Sequence, residues 1–233
     1  MAFTRKPPPD NVRRVACLGR NIHGVTTNKR GHLVQFESEL EHTLILLLER
    51  DPAVADYRSQ PEVLPFRDAT GRPRTYTPDF QVWRTDGRIE LHEVSVEQRR
   101  AQRPTLQQRE AAGVAICHQR GWRYVLHTDR SLPSGYAYSN LSFLAAYRAH
   151  IYADMATTAW WVAHLRGGTP VHPRLVLDQA AEDLPCSRGL LLSGLYHLLW
   201  TGAIQMDWQC PLIRGSDIHP AARLWLPTPE VTR

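Results

Sequence analysis

A helical pattern followed by a strand hairpin constrains the fold of this chain more than any other feature of its sequence. Residues 37–50 place leucines at helical spacing, with acidic residues early in the segment, as the helix dipole favours. Strand patterns follow at residues 75–83 and 89–96, and Asp86-Gly87 lies in the turn between them. The sequence therefore predicts one helix followed by an antiparallel strand pair.

A second helix and a third strand extend this series. Pro104 is suited to the first turn of a helix that runs to about Arg120, and Gly121 is suited to its end. The β-rich segment 122–126 comes next. Helix, hairpin, helix and strand together predict an α/β fold.

The chain divides into three predicted regions. Residues 1–35 mix Arg, Gly, Asn and Pro with little periodicity, which predicts a basic, irregular N-terminal arm. Residues 36–152 carry the α/β pattern. Residues 153–233 are mostly helical and aromatic, and two helical segments at 174–181 and 187–200 precede a strand-like one. This last region predicts a small winged-helix-like domain.

Three carboxylates occupy positions where a partner is needed. Glu41 shares the apolar stripe of the first helix, Asp79 lies in the first strand pattern, and Glu93 lies in the second beside Leu91. Ionised carboxylates are seldom buried unless they are paired or bind a metal. Two structural alternatives remain: Glu41 lies at the edge of the stripe or pairs with an arginine, and Pro78-Asp79 forms a turn before the strand.

The length of the hairpin loop decides whether two of these carboxylates share a face of the sheet. A two-residue turn at Asp86-Gly87 would place Asp79 opposite Val94 and put Glu93 on the other face. A three-residue loop, with Gly87 in the left-handed conformation, would place Asp79 directly opposite Glu93. Asp79 and Glu93 can share a metal only if they face the same side of the sheet. We therefore predict the three-residue loop, or another arrangement of the same parity.

The chain resembles the TnsA family, the endonuclease subunit of heteromeric cut-and-paste transposases. The resemblance covers most of residues 30–150 and rests on segments that occur in the family's order: Phe36-Glu37-Ser38-Glu39-Leu40-Glu41, Ser59-Gln60-Pro61, Tyr76-Thr77-Pro78-Asp79-Phe80, Glu93-Val94 and Arg120-Gly121-Trp122. It implies a restriction-endonuclease-like mixed sheet flanked by helices over residues 36–152. It also implies a bacterial, cytoplasmic protein that acts with a DDE-type transposase subunit and an AAA+ ATPase.

The resemblance assigns roles to four residues. Glu41, Asp79 and Glu93 match the family's metal-binding and catalytic carboxylates, so Mg²⁺ is the expected cofactor and Mn²⁺ a possible substitute. The family's catalytic lysine falls on Ser95, whose hydroxyl is neutral and a poor base. Lysine occurs only at Lys6 and Lys29. Because no lysine follows Lys29, only Lys29 itself or an arginine could take the place of the family's lysine.

The charge of the chain favours a polyanionic partner. The net charge is +5 and the pI is near 9.2, which suits double-stranded DNA. The predicted DNA-binding residues follow the second strand or open a C-terminal helix: Arg99, Arg100, Arg103 and Arg188. An ordinary solvated helix face is the alternative. No segment reaches membrane-spanning length, and the four cysteines have no zinc-site spacing.

Three functions fit these observations. The first is a Mg²⁺-dependent DNA endonuclease subunit that cuts at transposon ends. The second is a catalytically impaired assembly factor that bridges DNA, transposase and ATPase, with Ser95 as the mark of lost chemistry. The third is a stand-alone restriction or repair nuclease of the same fold, which activity without partners would identify.

Overall fold

The computed structural model describes residues 23–149, 155–165 and 169–227, and the first 22 residues of the predicted arm lie outside them. The chain forms two compact units, residues 1–133 and 134–233. This division falls earlier than the predicted boundary near residue 152. The reason is that Asn140, before that boundary, bonds to the C-terminal segment: its side chain donates to Cys210 O at 2.9 Å and accepts from Leu212 N at 2.9 Å.

A β-hairpin opens the described chain. Strands β1 (Gly24–Thr27) and β2 (Leu33–Phe36) pair antiparallel. Val34 and Phe36 are buried, so the alternate residues of β2 contribute to the core. The prediction that residues up to 35 lack regular structure is wrong here, because two four-residue strands among polar residues are too short to give a clear periodic signal.

The centre of the first unit is a four-stranded mixed sheet. Its order is β3 (Val54–Ser59), β6 (Phe80–Arg84), β7 (Ile89–Ser95) and β8 (Arg123–Thr128). Neighbours pair antiparallel except β7 and β8, which are parallel. A separate two-stranded sheet is formed by β4 (Leu64–Arg67) and β5 (Pro73–Tyr76). The predicted mixed sheet flanked by helices is confirmed.

Helices cover both faces of this sheet. Helix α1 (Glu39–Arg50) begins at the N-cap Ser38, and its Leu44 and Leu48 pack in one core with Phe80 and Val82. Helix α3 (Pro104–Arg120), preceded by the short α2 (Glu97–Gln102), lies on the other face. There its Cys117 packs with Leu91, Leu64 and Tyr76. The alternation of β7 therefore sends Leu91 and Glu93 towards α3.

The predicted strand at residues 75–83 is two strands. Strand β5 ends at Tyr76 and β6 begins at Phe80, and the two belong to different sheets. Pro78 has no N–H to donate to a strand partner, so the chain leaves one sheet before entering the next. The prediction of one continuous strand is wrong, and the alternative of a Pro-Asp break before the strand is the one observed.

The hairpin between β6 and β7 has the predicted three-residue loop. Arg84 N donates to Arg88 O at 2.9 Å, which leaves residues 85–87 as the loop. Gly87 has φ +85°, the left-handed conformation that glycine adopts without a Cβ clash. Phe80 pairs with His92, so Asp79, one residue earlier, lies opposite Glu93. This register prediction is confirmed.

The second unit is mostly helical. Its helices are α4 (Tyr136–Leu144), α5 (Met155–His164), α6 (Pro173–Asp183) and α7 (Arg188–Thr201), and a 3-10 turn at Ala145–Tyr147 follows α4. Short strands β9 (Gln205–Met206) and β12 (Leu224–Trp225) pair, as do β10 (Ile213–Arg214) and β11 (Asp217–Ile218). The two predicted helices correspond to α6 and α7, and the winged-helix-like assignment stays a prediction. Across the described ranges, every helix is too short or too polar to cross a bilayer.

Candidate metal and nucleic-acid site

Asp79 and Glu93 face each other across two neighbouring strands, on the α3 face of the sheet. Asp79 Oδ2 accepts a hydrogen bond from Val94 N at 2.7 Å, which holds this carboxylate against β7. Glu93 Oε2 is buried and has no hydrogen-bond partner among the described residues. The pair therefore concentrates negative charge at one end of the sheet, with at least one carboxylate oxygen that lacks a partner.

The electrostatics of this pair disfavour the charged form of Glu93. Burial raises the pKa of Glu93 well above its usual range, and the neighbouring Asp79 carboxylate raises that pKa further. The Arg109 guanidinium of α3 acts in the opposite direction but less strongly. A divalent cation bound by these carboxylates would offset both effects, since it would supply positive charge and a partner for the oxygen that has none.

Two tyrosine hydroxyls share this polar environment. Tyr76 Oη and Tyr124 Oη are buried without a hydrogen-bond partner in the described structure. Burial raises the pKa of both phenols, and the Glu93 carboxylate is the next cause in each case. Helix α3 approaches them closely at Gly113, where an added Cβ would lie 2.2 Å from Tyr76 Oη. The α3 face of the site is thus tightly packed and contains several polar atoms without partners.

Glu41 occupies a different position from the one expected of a metal ligand. Its carboxylate accepts from Glu37 N at 2.9 Å and from Ser38 Oγ at 3.0 Å, and Ser38 Oγ in turn accepts from Glu41 N at 3.2 Å. This reciprocal arrangement is a capping box, which satisfies backbone donors at the start of a helix. Glu41 therefore stabilises the N-terminus of α1.

The described residues contain no group of three or more His, Cys, Asp or Glu side chains arranged to hold a metal ion. Asp79 and Glu93 are brought together, and the three-carboxylate set with Glu41 is not formed. A metal role for Glu41 stays a prediction.

Ser95 ends β7 on the same face as Glu93. It pairs with Thr128 in the parallel register. Lys29, the one lysine in the described part of the chain, donates through Nζ to Asp51 O and, at 2.8 Å, to Val54 O. Val54 pairs with Arg84, five positions along β6 from Asp79, or about 16 Å at the usual rise of a strand. Lys29 therefore cannot replace the lysine that the resemblance expects at Ser95.

A family model described as TnsA-like endonuclease N terminal matches residues 51–129. These residues are therefore similar to the N-terminal domain of TnsA-like endonucleases. The match includes Asp79, Glu93 and Ser95, whereas Glu41 precedes it. No curated protein matches the chain.

The predicted DNA-binding arginines of the TnsA-like domain differ in their surroundings. Arg99 and Arg103 are exposed, immediately after the strand that carries Glu93. Arg100 donates through Nε to both oxygens of Glu110 at 2.8 Å, and it holds α2 against α3. Arg99 and Arg103 are therefore better placed than Arg100 to contact a phosphate. DNA binding by all three stays a prediction.

Arg188, the predicted DNA-binding residue outside the TnsA-like domain, opens α7 as expected. Its Nη1 donates to Asp178 Oδ1 at 2.5 Å, and both side chains are about half exposed or more. An exposed ion pair of this kind is weak and can exchange for a phosphate contact. Its role in DNA binding stays a prediction.

Sequence reasoning missed three residues that line the TnsA-like site. In the sequence, Gln60 and Tyr76 stand out only within segments that resemble the family, and Tyr124 only within a strand pattern. The signal for Gln60 was its place before Pro61 at the end of a strand, where a residue's backbone is restricted. The sequence holds no signal for the tyrosines, because Tyr76 and Tyr124 belong to different sheets and both lie against Gly113 of α3 only in the folded chain.

A second polar cluster lies on the opposite face of β7. Glu90 Oε2 accepts from His92 Nε2 at 3.0 Å, and His92 Nδ1 accepts from His127 Nε2 at 3.0 Å. Burial lowers the pKa of His92, and burial together with His92 lowers the pKa of His127 to about 4. Both imidazoles are therefore neutral at pH 7, and each hydrogen bond has one donor and one acceptor.

Proposed function

We propose that the chain is the endonuclease subunit of a heteromeric transposase and uses Mg²⁺, or Mn²⁺ in its place, to cut DNA at transposon ends. The observation that carries this proposal is the position of Asp79 directly opposite Glu93, whose Oε2 is buried without a hydrogen-bond partner in the described structure. Both residues lie within the part of the chain that is similar to the N-terminal domain of TnsA-like endonucleases.

The residues present fit a hard divalent cation. Asp79 and Glu93 offer carboxylate oxygens. Burial, and then the charge of Asp79, raise the pKa of Glu93, and a bound cation would offset this cost of the charged form. A bound Mg²⁺ would supply Lewis-acid chemistry: it would polarise a phosphoryl oxygen and lower the pKa of a coordinated water.

The remaining residues of the site bind and orient the DNA. Ser95 offers a hydroxyl that can hydrogen-bond but is not a base at neutral pH. Arg99 and Arg103, which follow the strand of Glu93, and Arg109, whose charge acts on Glu93, are exposed. All three stay protonated, so they suit phosphate binding and cannot take a proton from water. The partners in this proposal are a DDE-type transposase subunit and an AAA+ ATPase.

The test is cleavage of supercoiled DNA that carries transposon ends, in the presence of the partner proteins and Mg²⁺. Asp79→Ala should lower the cleavage rate by about 100-fold or more, because one of two carboxylate ligands is lost. Asp86→Ala, in the exposed hairpin loop, is the matched control and should cleave as the wild type does. Equal cleavage by Asp79→Ala and the wild type would overturn the proposal.

One observation favours a second candidate, a non-catalytic assembly factor that bridges DNA, transposase and ATPase. Ser95 stands where the family lysine is expected, and Lys29 lies at the far end of the strand pair. The variant Ser95→Lys separates the two functions. Cleavage that appears only in Ser95→Lys supports the assembly factor, whereas cleavage by the wild type supports the endonuclease.

A further inference from the structure

Gln60 lies in the same row across the sheet as Asp79 and Glu93. Ser59 pairs with Phe80, and the next pair in this antiparallel register is Gln60 with Asp79. Gln60 N donates to Asp79 O at 2.8 Å, which confirms that the two residues are adjacent. Since Asp79 is also opposite Glu93, the three residues occupy one row on β3, β6 and β7 or directly beside those strands.

The backbone of Gln60 is held in an unusual conformation. Its φ is +47°, and no other non-glycine residue in the described ranges has a positive φ. A side chain with a Cβ disfavours this region, so such a residue persists where the surrounding structure requires it, and it occurs often at functional sites. Gln60 is also buried, with 8% of its surface exposed.

The surroundings of the Gln60 carboxamide fix which of its atoms lacks a partner. Gln60 Nε2 lies 3.4 Å from Glu37 Oε1. A carboxylate only accepts hydrogen bonds, so the amide NH₂ must face Glu37 and the carbonyl oxygen must point elsewhere. That oxygen, Oε1, is buried and has no hydrogen-bond partner among the described residues. Glu37 thus orients the amide so that its carbonyl oxygen can bind another group, such as a cation.

An amide carbonyl oxygen is a hard, neutral donor of the kind that Mg²⁺ and Mn²⁺ accept beside carboxylates. We propose that Gln60 Oε1 is a ligand of the divalent metal held by Asp79 and Glu93, with Glu37 as the residue that positions the amide. This inference rests on the proposed metal site and adds the oxygen that the paired carboxylates do not supply. Glu41 caps α1. In this proposal the acidic residue before α1 that contributes to the metal site is Glu37, which positions the Gln60 amide.

The experiment measures Mn²⁺ binding to the full chain by electron paramagnetic resonance, without DNA. Gln60→Gly removes the oxygen and adopts a positive φ readily, and Gln60→Asn tolerates this backbone but is too short to reach the same point. Both variants should bind Mn²⁺ about tenfold more weakly than the wild type. The double variant Glu37→Gln/Gln60→Glu keeps an oxygen at the same distance and restores a donor beside residue 60, so it should bind at least as tightly as the wild type.

Two controls separate this inference from the proposed function. Gln81→Ala removes a glutamine from the same face of β6, two residues nearer the hairpin loop than Asp79, and should leave Mn²⁺ affinity unchanged. Asp79→Asn should abolish binding. Wild-type affinity in Gln60→Gly and Gln60→Asn, with binding lost in Asp79→Asn, would overturn the inference alone. Wild-type affinity in Asp79→Asn would overturn the proposed metal site together with the inference.

Thermal unfolding without metal guards against a structural explanation. Gln60→Gly should unfold at the same temperature as the wild type or higher, because glycine relieves the disfavoured backbone conformation. Weak Mn²⁺ binding with an unchanged unfolding temperature supports the inference. Wild-type or higher affinity in Glu37→Gln/Gln60→Glu is the second supporting result, and weak binding in this double variant contradicts a ligand role for Gln60.

Discussion

The two faces of β7 carry polar clusters of opposite character. On the α1 face, Glu90, His92 and His127 form a chain of hydrogen bonds, and none of them has a buried side-chain atom without a partner in the described structure. On the α3 face, Glu93 lies beside Asp79 with a buried oxygen that has no partner. Both glutamates belong to one seven-residue strand, so local sequence does not cause the difference.

This difference separates a structural cluster from a site prepared for a ligand. A buried polar group with all its hydrogen bonds made is stable in itself, whereas one without a partner costs free energy until something binds it. The cluster of Glu90 is therefore complete, whereas the cluster of Glu93 leaves one buried oxygen without a partner, which the proposed cation would supply. Replacing the same residue type on each face tests this contrast directly.

The largest expected effect is at Glu90. Glu90→Gln removes the charge that faces Arg84 at 3.8 Å and Arg123 at 3.7 Å and weakens the hydrogen bond to His92. We expect the free energy of unfolding to fall by about 2 kcal/mol, as for the loss of a charged hydrogen bond in the core. Urea denaturation measures this, and an unchanged midpoint would show that the cluster is not structural.

Gly113→Ala tests how tightly α3 packs over the incomplete cluster. The added methyl would lie 2.2 Å from Tyr76 Oη and 2.5 Å from the ring of Tyr124. We expect a loss of about 1–2 kcal/mol in the free energy of unfolding, since crowding a packed core costs this much. Gly189→Ala, where the nearest atom is 4.0 Å away, is the matched control and should not destabilise. Equal effects in the two variants would contradict tight packing.

Glu93→Gln should have the opposite sign from Glu90→Gln. The glutamine removes a buried carboxylate and can donate a hydrogen bond towards the Asp79 carboxylate, so without metal the free energy of unfolding should rise by about 1 kcal/mol. The same denaturation experiment in the presence of EDTA measures it. A loss of stability as large as that of Glu90→Gln would mean that the two faces do not differ.

The smallest expected effect is the pH dependence from His127. Its pKa is about 4 in the folded chain and is near 6.5 when unfolded, so the unfolded state binds more protons between these values. Stability from this group is present above pH 6.5 and is lost as pH falls towards 4. His127→Gln should flatten this decline by on the order of 1 kcal/mol after discounting for the partial exposure of the ring. An identical pH profile in the variant would show that His127 does not titrate as described.

The sequence predicted those parts of the site that depend on strand periodicity and turn chemistry. Gly87 in a three-residue loop was enough to place Asp79 opposite Glu93. The sequence leaves open whether the chain breaks at Pro78, because β-rich residues lie on both sides of this proline and favour one continuous strand. Local rules succeed here because a hairpin register is set by a few residues that are close in the chain.

The parts that sequence reasoning missed depend on contacts between distant segments. Gln60 faces Asp79 only because β3 pairs with β6, and Tyr124 nears Glu93 only because β8 pairs with β7. Glu41 shows the reverse problem. Its place in the apolar stripe indicated a buried site, yet Ser38 three residues earlier also allowed a capping box, and this local arrangement is the one that forms.

The central claim is that Asp79 and Glu93 bind one divalent metal ion. Anomalous difference density from a crystal of the chain soaked in Mn²⁺ tests it most directly. The account predicts one strong peak between the two carboxylates, about 2.0–2.4 Å from an oxygen of each. Anomalous peaks elsewhere in the chain and none between Asp79 and Glu93, or a direct hydrogen bond between the two carboxyl groups in the presence of Mn²⁺, would contradict it.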